Sequence, residues 1–171
     1  MIRVLWQELT FGLHGTDQLA HVVIRLLAAT LLGGLVGIQR ESTRKPAGLR
    51  THVLVSVATA AFIVACTGSG MSSDGISRVI QGIVTGIGFL GAGTILKLSH
   101  EHEIKGLTTA ASVWMTAAIG VIVGLGSLGI ALIVTSLALI ILSLARLEHS
   151  IEGKRRRGHE HEKDKAPEKS P

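Results

Sequence analysis

GLTTAASVWMTAAIGVIVGLGSLGIALIVTSLALIILSLA, residues 106–145, runs for 40 positions without one Asp, Glu, Lys or Arg. A helix rises about 1.5 Å per residue and a bilayer's hydrocarbon core is about 30 Å thick, so about 20 apolar residues cross it once. The stretch therefore holds two crossings, at 107–123 and 128–145. Working outward, charge-free runs also cover Val79–Leu96 and Thr51–Ser73. A further apolar stretch, Leu19–Ile38, carries Arg25 as its only charge. The sequence predicts about five membrane spans, at 19–38, 52–67, 79–96, 107–123 and 128–145. Lipid offers no partner for free N–H and C=O groups, so these are helices, and no alternating ten-residue segments suggest a β-barrel. The fold class is an all-α, multi-pass transmembrane bundle.

Lys/Arg placement sets the orientation. Of the 17 basic residues, 14 follow the first, third and fifth spans, among them Arg40, Arg44, Lys45, Arg50, Lys97, Lys105 and the Lys154–Arg157 cluster. The positive-inside rule puts the N-terminus outside and the C-terminus in the cytoplasm. The net charge of +5 thus records topology. Positive charge split among short loops and a tail, without interleaved aromatics, is no nucleic-acid footprint. Cys66 is the single cysteine, which excludes an intramolecular disulfide. Three parts follow: residues 1–18, an outer or interfacial segment; 19–147, the membrane domain; and 148–171, a charged tail expected to be disordered.

Glycine supplies 21 residues and aromatics only 3%. Pairs four apart stand at Gly33 and Gly37, Gly82 and Gly86, and Gly120 and Gly124, a spacing that lets helix backbones approach closely in lipid. Gly88, Gly91 and Gly93 add to the third span, where glycine serves either packing or a helix break that exposes carbonyls to a cavity. Gly86–Gly91 has the letters of GxGxxG, but no strand or βαβ unit frames it as a dinucleotide site.

Polar residues within the spans are the candidate sites. Arg25 is either functional or a snorkelling side chain that reaches the outer headgroups. Thr108, Ser112 and Thr116 recur at spacing four, as a cavity lining or as interhelical hydrogen bonds. Asp74 and Arg78 are placed in an outer loop. On the cytoplasmic side, Arg40-Glu41 and Arg50-Thr51-His52 flank a turn at Pro46-Ala47-Gly48, as an anion site, a partner-docking surface or a solvated loop. His100 and His102, and again His159 and His161, alternate with glutamates as weak metal candidates without helical spacing. No nucleophile stands with a base, so no enzyme and no cofactor are expected.

Ala47-Gly48-Leu49-Arg50-Thr51-His52, the Gly86–Gly93 run and Gly106-Leu-Thr-Thr-Ala-Ala111 through Trp114 to Gly120 together resemble the MgtC/SapB family. The resemblance extends from Val22 to Leu147. It implies a bacterial inner-membrane protein of about five spans with its N-terminus outside. Some members of that family support growth when magnesium is scarce, and some serve virulence through membrane partners such as the F-type ATP synthase. It marks Arg25, Arg40, Glu41, Gly48, Arg50, Thr51, His52, Gly86, Gly88, Gly91, Gly93, Thr108, Thr109 and Trp114. Two features depart from the family: Asp74-Gly-Ile-Ser-Arg78 replaces an Asp-Pro-x-Arg element, and a short tail stands where virulence-type members carry an ACT-like domain. The chain resembles the shorter branch. The expected function is that of a non-enzymatic membrane accessory or regulator contacting lipid and another integral membrane protein, with a homo-oligomer also open. The alternative is a small oligomeric ion transporter or channel.

Overall fold

The computed structural model describes residues 1–4, 16–98 and 103–144. The charged tail lies outside them. Helix α1 spans Thr16–Ser42, α2 Leu49–Gly68, α3 Ser73–Gly93, α4 Leu107–Gly124 and α5 Leu128–Leu144. The first four are long and apolar enough to cross a membrane, and α5 is a shorter apolar helix of 17 described residues. Between α3 and α4, three-residue strands β1 (Leu96–Leu98) and β2 (Glu103–Lys105) pair antiparallel, Lys97 opposite Ile104.

The helix ends explain why α1 is longer than its apolar core. Asp17 sits in the first turn and Arg40 in the last, each matched to the charge at that end of the helix dipole. The chain leaves α1 through paired bonds, Lys45 N–H to the Arg40 carbonyl and Arg44 N–H to the Glu41 carbonyl, with Arg44 left-handed at φ +53°. The same double closure ends α2 at Gly70 and α4 at Gly126, where glycine carries the positive φ without strain. Glu41 then starts the next helix: its Oε2 accepts the Leu49 N–H at 2.9 Å.

Packing divides the helices sharply. In α4, 56% of the best apolar window is buried, against 11% in α3. Helix α4 is thus the bundle's centre, with α1 and α2 against it. A Cβ on Gly33 would stand 2.6 Å from the Ser56 Cβ, and one on Gly37 2.6 Å from the Leu49 Cα. One on Gly120 would overlap Thr59 Oγ1 and the Ser56 carbonyl, and one on Gly124 would stand 2.7 Å from the Ile63 Cβ. These four glycines let α1 and α4 ride on the backbone of α2.

Helix α3 behaves differently and corrects two expectations. It is continuous through its glycine-rich half, so the helix break is not there. Nor do Gly82, Gly86, Gly88 and Gly93 pack on another helix among the described residues: a Cβ on any of them would meet no described atom within 4 Å. Of the α3 glycines within the apolar run, only Gly91 has a neighbour, the Ala110 Cβ at 3.7 Å. Ile87 joins Val55, Val113 and Ala117 in a small apolar cluster, and with Gly91 makes up the buried part of α3. Helix α3 begins at Ser73, with Ser72 Oγ capping the Gly75 N–H at 3.2 Å. Asp74 and Arg78 are therefore exposed residues of its first turns, not of a loop.

Candidate functional site

Polar side chains gather where α1, α2 and α4 meet, at the end that the positive-inside rule makes cytoplasmic. Arg40 is 2% exposed, and its Nη2 donates to Thr109 Oγ1 at 2.8 Å. Thr109 lies in the first turn of α4. From there bonds run up the helix: Ser112 Oγ donates to the Thr109 carbonyl at 2.8 Å, and Thr116 Oγ1 to the Ser112 carbonyl at 2.9 Å. His52 Nδ1 stands 2.8 Å from Thr116 Oγ1. Which of Nδ1 and the Thr116 hydroxyl donates depends on the tautomer of the ring.

The cluster is incompletely satisfied. Arg40 Nε, His52 Nε2, Ser56 Oγ and both polar atoms of the Gln39 side chain are buried without a hydrogen-bond partner. The Ala47 backbone acts on the His52 ring without reaching hydrogen-bond geometry. No described carboxylate bears on Arg40.

The residues singled out in the sequence now separate. Arg40, His52 and Thr109 come together inside, while Arg50, Thr51, Thr108 and Trp114 are exposed. The buried stripe of α4 is Thr109, Ser112 and Thr116, so Thr108 does not belong to it. Glu41 faces outward as the cap of α2. Sequence reasoning missed Ser56 and Gln39; Ser56, one helical turn beyond His52, was the available signal. Among the described residues no three His, Cys, Asp or Glu side chains cluster as a metal site. His100, His102, His159 and His161 lie outside the described residues.

At the outer end, Arg25 does not simply reach for headgroups. Its Nη1 donates at 2.8 Å to the Gly124 carbonyl, one of the acceptors a helix end leaves open. A Cβ on Gly126 would stand 2.7 Å from Arg25 Nη2, so glycine there serves both the turn and the arginine. Arg25→Gln is expected to lower stability by about 1–2 kcal/mol, the range for a partly buried cation at a helix C-terminus. Thermal unfolding in detergent checks this, and an unchanged midpoint would show that the bond carries no stability.

Helices of this length and apolarity, with basic residues in the connections after α1 and α3, define a multi-pass membrane protein. The MgtC family pattern matches residues 26–151, and the chain belongs to that family. Protein SrpB of Synechococcus elongatus is 42% identical over 130 residues, 70% of this chain and 71% of SrpB. Protein MgtC of Brucella abortus is 44% identical over 129 residues, 75% of this chain and 52% of that protein. The putative magnesium transporter YhiD of Escherichia coli K12 is 38% identical over 132 residues, 73% of this chain and 60% of YhiD. The chain thus spans about half the length of the Brucella protein. No solved structure matches it.

Proposed function

We propose that the protein is a non-enzymatic accessory of the membrane, tied to magnesium homeostasis, that regulates another integral membrane protein by helix contact. The observation that carries this reading is the unoccupied side of α3. Gly82 and Gly86 present bare backbone in a groove of about 550 Å³ between α2 and α3, lined also by Leu54, Phe62, Ile83 and Leu90. Lipid tails are as apolar as these side chains, so only close backbone packing favours a helix there over lipid. The magnesium link is supported by the name of the relative YhiD.

Photo-cross-linking from the positions of Gly86 and Phe89, in membranes of magnesium-limited cells, tests the proposal. The expected result is a discrete adduct with one membrane protein, and the F-type ATP synthase is the first to examine. Gly82→Leu and Gly86→Leu should fold normally and lose the adduct. Adducts only with lipid or with a second copy count against a regulator. So does magnesium flux by the purified chain in liposomes, which is the transporter alternative. The described spans hold carboxylates only near their ends, at Asp17, Glu41 and Asp74, which gives a cation little to follow.

A further inference from the structure

Lipid-facing hydroxyls in this bundle satisfy themselves. Thr30, Thr85, Ser136 and Ser143 are exposed, and each donates to the carbonyl four residues earlier in its own helix, at 2.7–2.9 Å. Gln81 is different. Its side-chain amide offers two N–H groups and one carbonyl, and no described group bonds to it. It lies three residues past Arg78, the last charge of α3, inside the charge-free run that begins at Val79. Acyl chains offer an amide no partner, and leaving it unpaired there is costly.

The residues around it form one flank of α3. Ser77, Gln81, Thr85, Gly88 and Ala92 recur at steps of four, four, three and four, so they share a face, and all five are exposed. The series holds no bulky apolar side chain, and a Cβ on Gly88 would meet no described atom within 4 Å. Ser73, Ser77, Gln81 and Thr85 also wall a groove of about 670 Å³ that α3 shares with Leu125, just past the end of α4. Beside this flank, at its outer end, stand Asp74 and Arg78, exposed, opposite in sign and in no ion pair with any described residue. Gly82 and Gly86 belong to a different flank, each one residue on and so about 100° further round the helix.

We propose that the Ser77–Gln81–Thr85–Gly88–Ala92 flank is the contact between two copies of the chain, related by a two-fold axis along the membrane normal. Chains inserted with one topology present their α3 helices parallel, so across the axis each residue faces its own counterpart or a near neighbour. What the flank carries suits that symmetry. Two Gln81 amides pair reciprocally, an N–H of each to the carbonyl of the other. Asp74 of each copy lies one turn from Arg78 of the other, so opposite charges meet twice at the outer end. Gly88 and Ala92 let the two backbones close along the inner half, where packing is the attraction that lipid leaves available. An unrelated helix would have to bring its own amide to that depth, whereas a second copy brings it by symmetry. The contact goes beyond the accessory reading and does not rest on it, since the groove at Gly82 and Gly86 stays open to another protein.

The test uses the full chain with Cys66→Ser, so that introduced cysteines are the only thiols, in native membranes under a mild oxidant. Ser77→Cys and Ala92→Cys should each give a covalent dimer, and Gly86→Cys should stay monomeric. All three positions are exposed, so the substitutions leave the fold intact. Energy transfer between fluorescently labelled chains, followed as the membrane is diluted with lipid, gives the dimer dissociation constant. Gln81→Leu should raise that constant about tenfold, as expected for an interhelical polar bond made twice. Asp74→Arg and Arg78→Asp should each weaken the dimer, and mixed together they should pair with each other in preference to themselves. A chain that stays monomeric at every dilution, disulfides formed as readily from Gly86→Cys, or a Gln81→Leu chain that associates like the parent would overturn the proposal.

Discussion

Gly120→Ala is expected to destabilise the bundle by about 3 kcal/mol, the upper part of the range for overpacking a tight interior. The added methyl would overlap Thr59 Oγ1 and the Ser56 carbonyl. The second of these is backbone, which cannot rotate away, so α2 and α4 must separate along their contact. Separation also loosens the neighbouring contact of Gly124 with Ile63 and Ala60. The matched control is Gly82→Ala, where the methyl meets open space and the helix gains the better helix former. Its stability should stay within about 0.5 kcal/mol of the parent, as for exposed sites generally. Unfolding in mixed detergent micelles compares the two. Equal effects from both would contradict the division between a tight α1–α2–α4 trio and a loosely held α3.

Thr116→Val is expected to destabilise by about 1–3 kcal/mol, because it leaves the buried His52 Nδ1 without its hydroxyl partner. The change conserves shape, so the loss belongs to the hydrogen bond and not to a cavity. A cycle with His52→Leu isolates the pair. Replacing both partners by apolar groups removes the stranded ring nitrogen, so the double variant should lose less than the sum of the singles, with a coupling of about 1 kcal/mol or more. Additive losses would mean that the two side chains do not share a bond.

The spans were legible in the sequence because a bilayer demands long runs without charge, and such runs have few rival explanations. Helix ends were less legible. An apolar window sees α3 from Val79, yet Ser72 and Asp74 begin it six residues earlier through capping and the helix dipole, which hydropathy does not register. The buried stripe of α4 was misread by one position. Residues four apart drift about 40° per step on a helix with 3.6 residues per turn, and the alternation of three and four that joins Thr109, Ser112 and Thr116 follows one face more closely. Glycine spacing on α1, α3 and α4 is the same, but only the first and last pairs meet another helix. Which small faces are used depends on the partner surface, here the Leu49–Ile63 stretch of α2, and no local pattern encodes that choice. Arg40 and His52 were recognised as a pair of interest, but their turn inward was not. Flanking a basic loop, they read like their exposed neighbours Arg44 and Arg50.

Two arginines of α1 grip the opposite ends of α4. Arg25 holds Gly124 and Arg40 holds Thr109, and each pair of positions is 15 residues apart along its own helix. At about 1.5 Å per residue both intervals measure about 22 Å, so the two antiparallel rods carry the same gauge length between fixed marks. Sliding one past the other breaks both marks at once. A single residue inserted between the marks of either helix displaces one end by about 1.5 Å and swings it by about 100°, leaving no phase in which both arginines engage. Length between these marks is therefore as constrained as side-chain identity, whereas α3 is bounded in length by the bilayer alone.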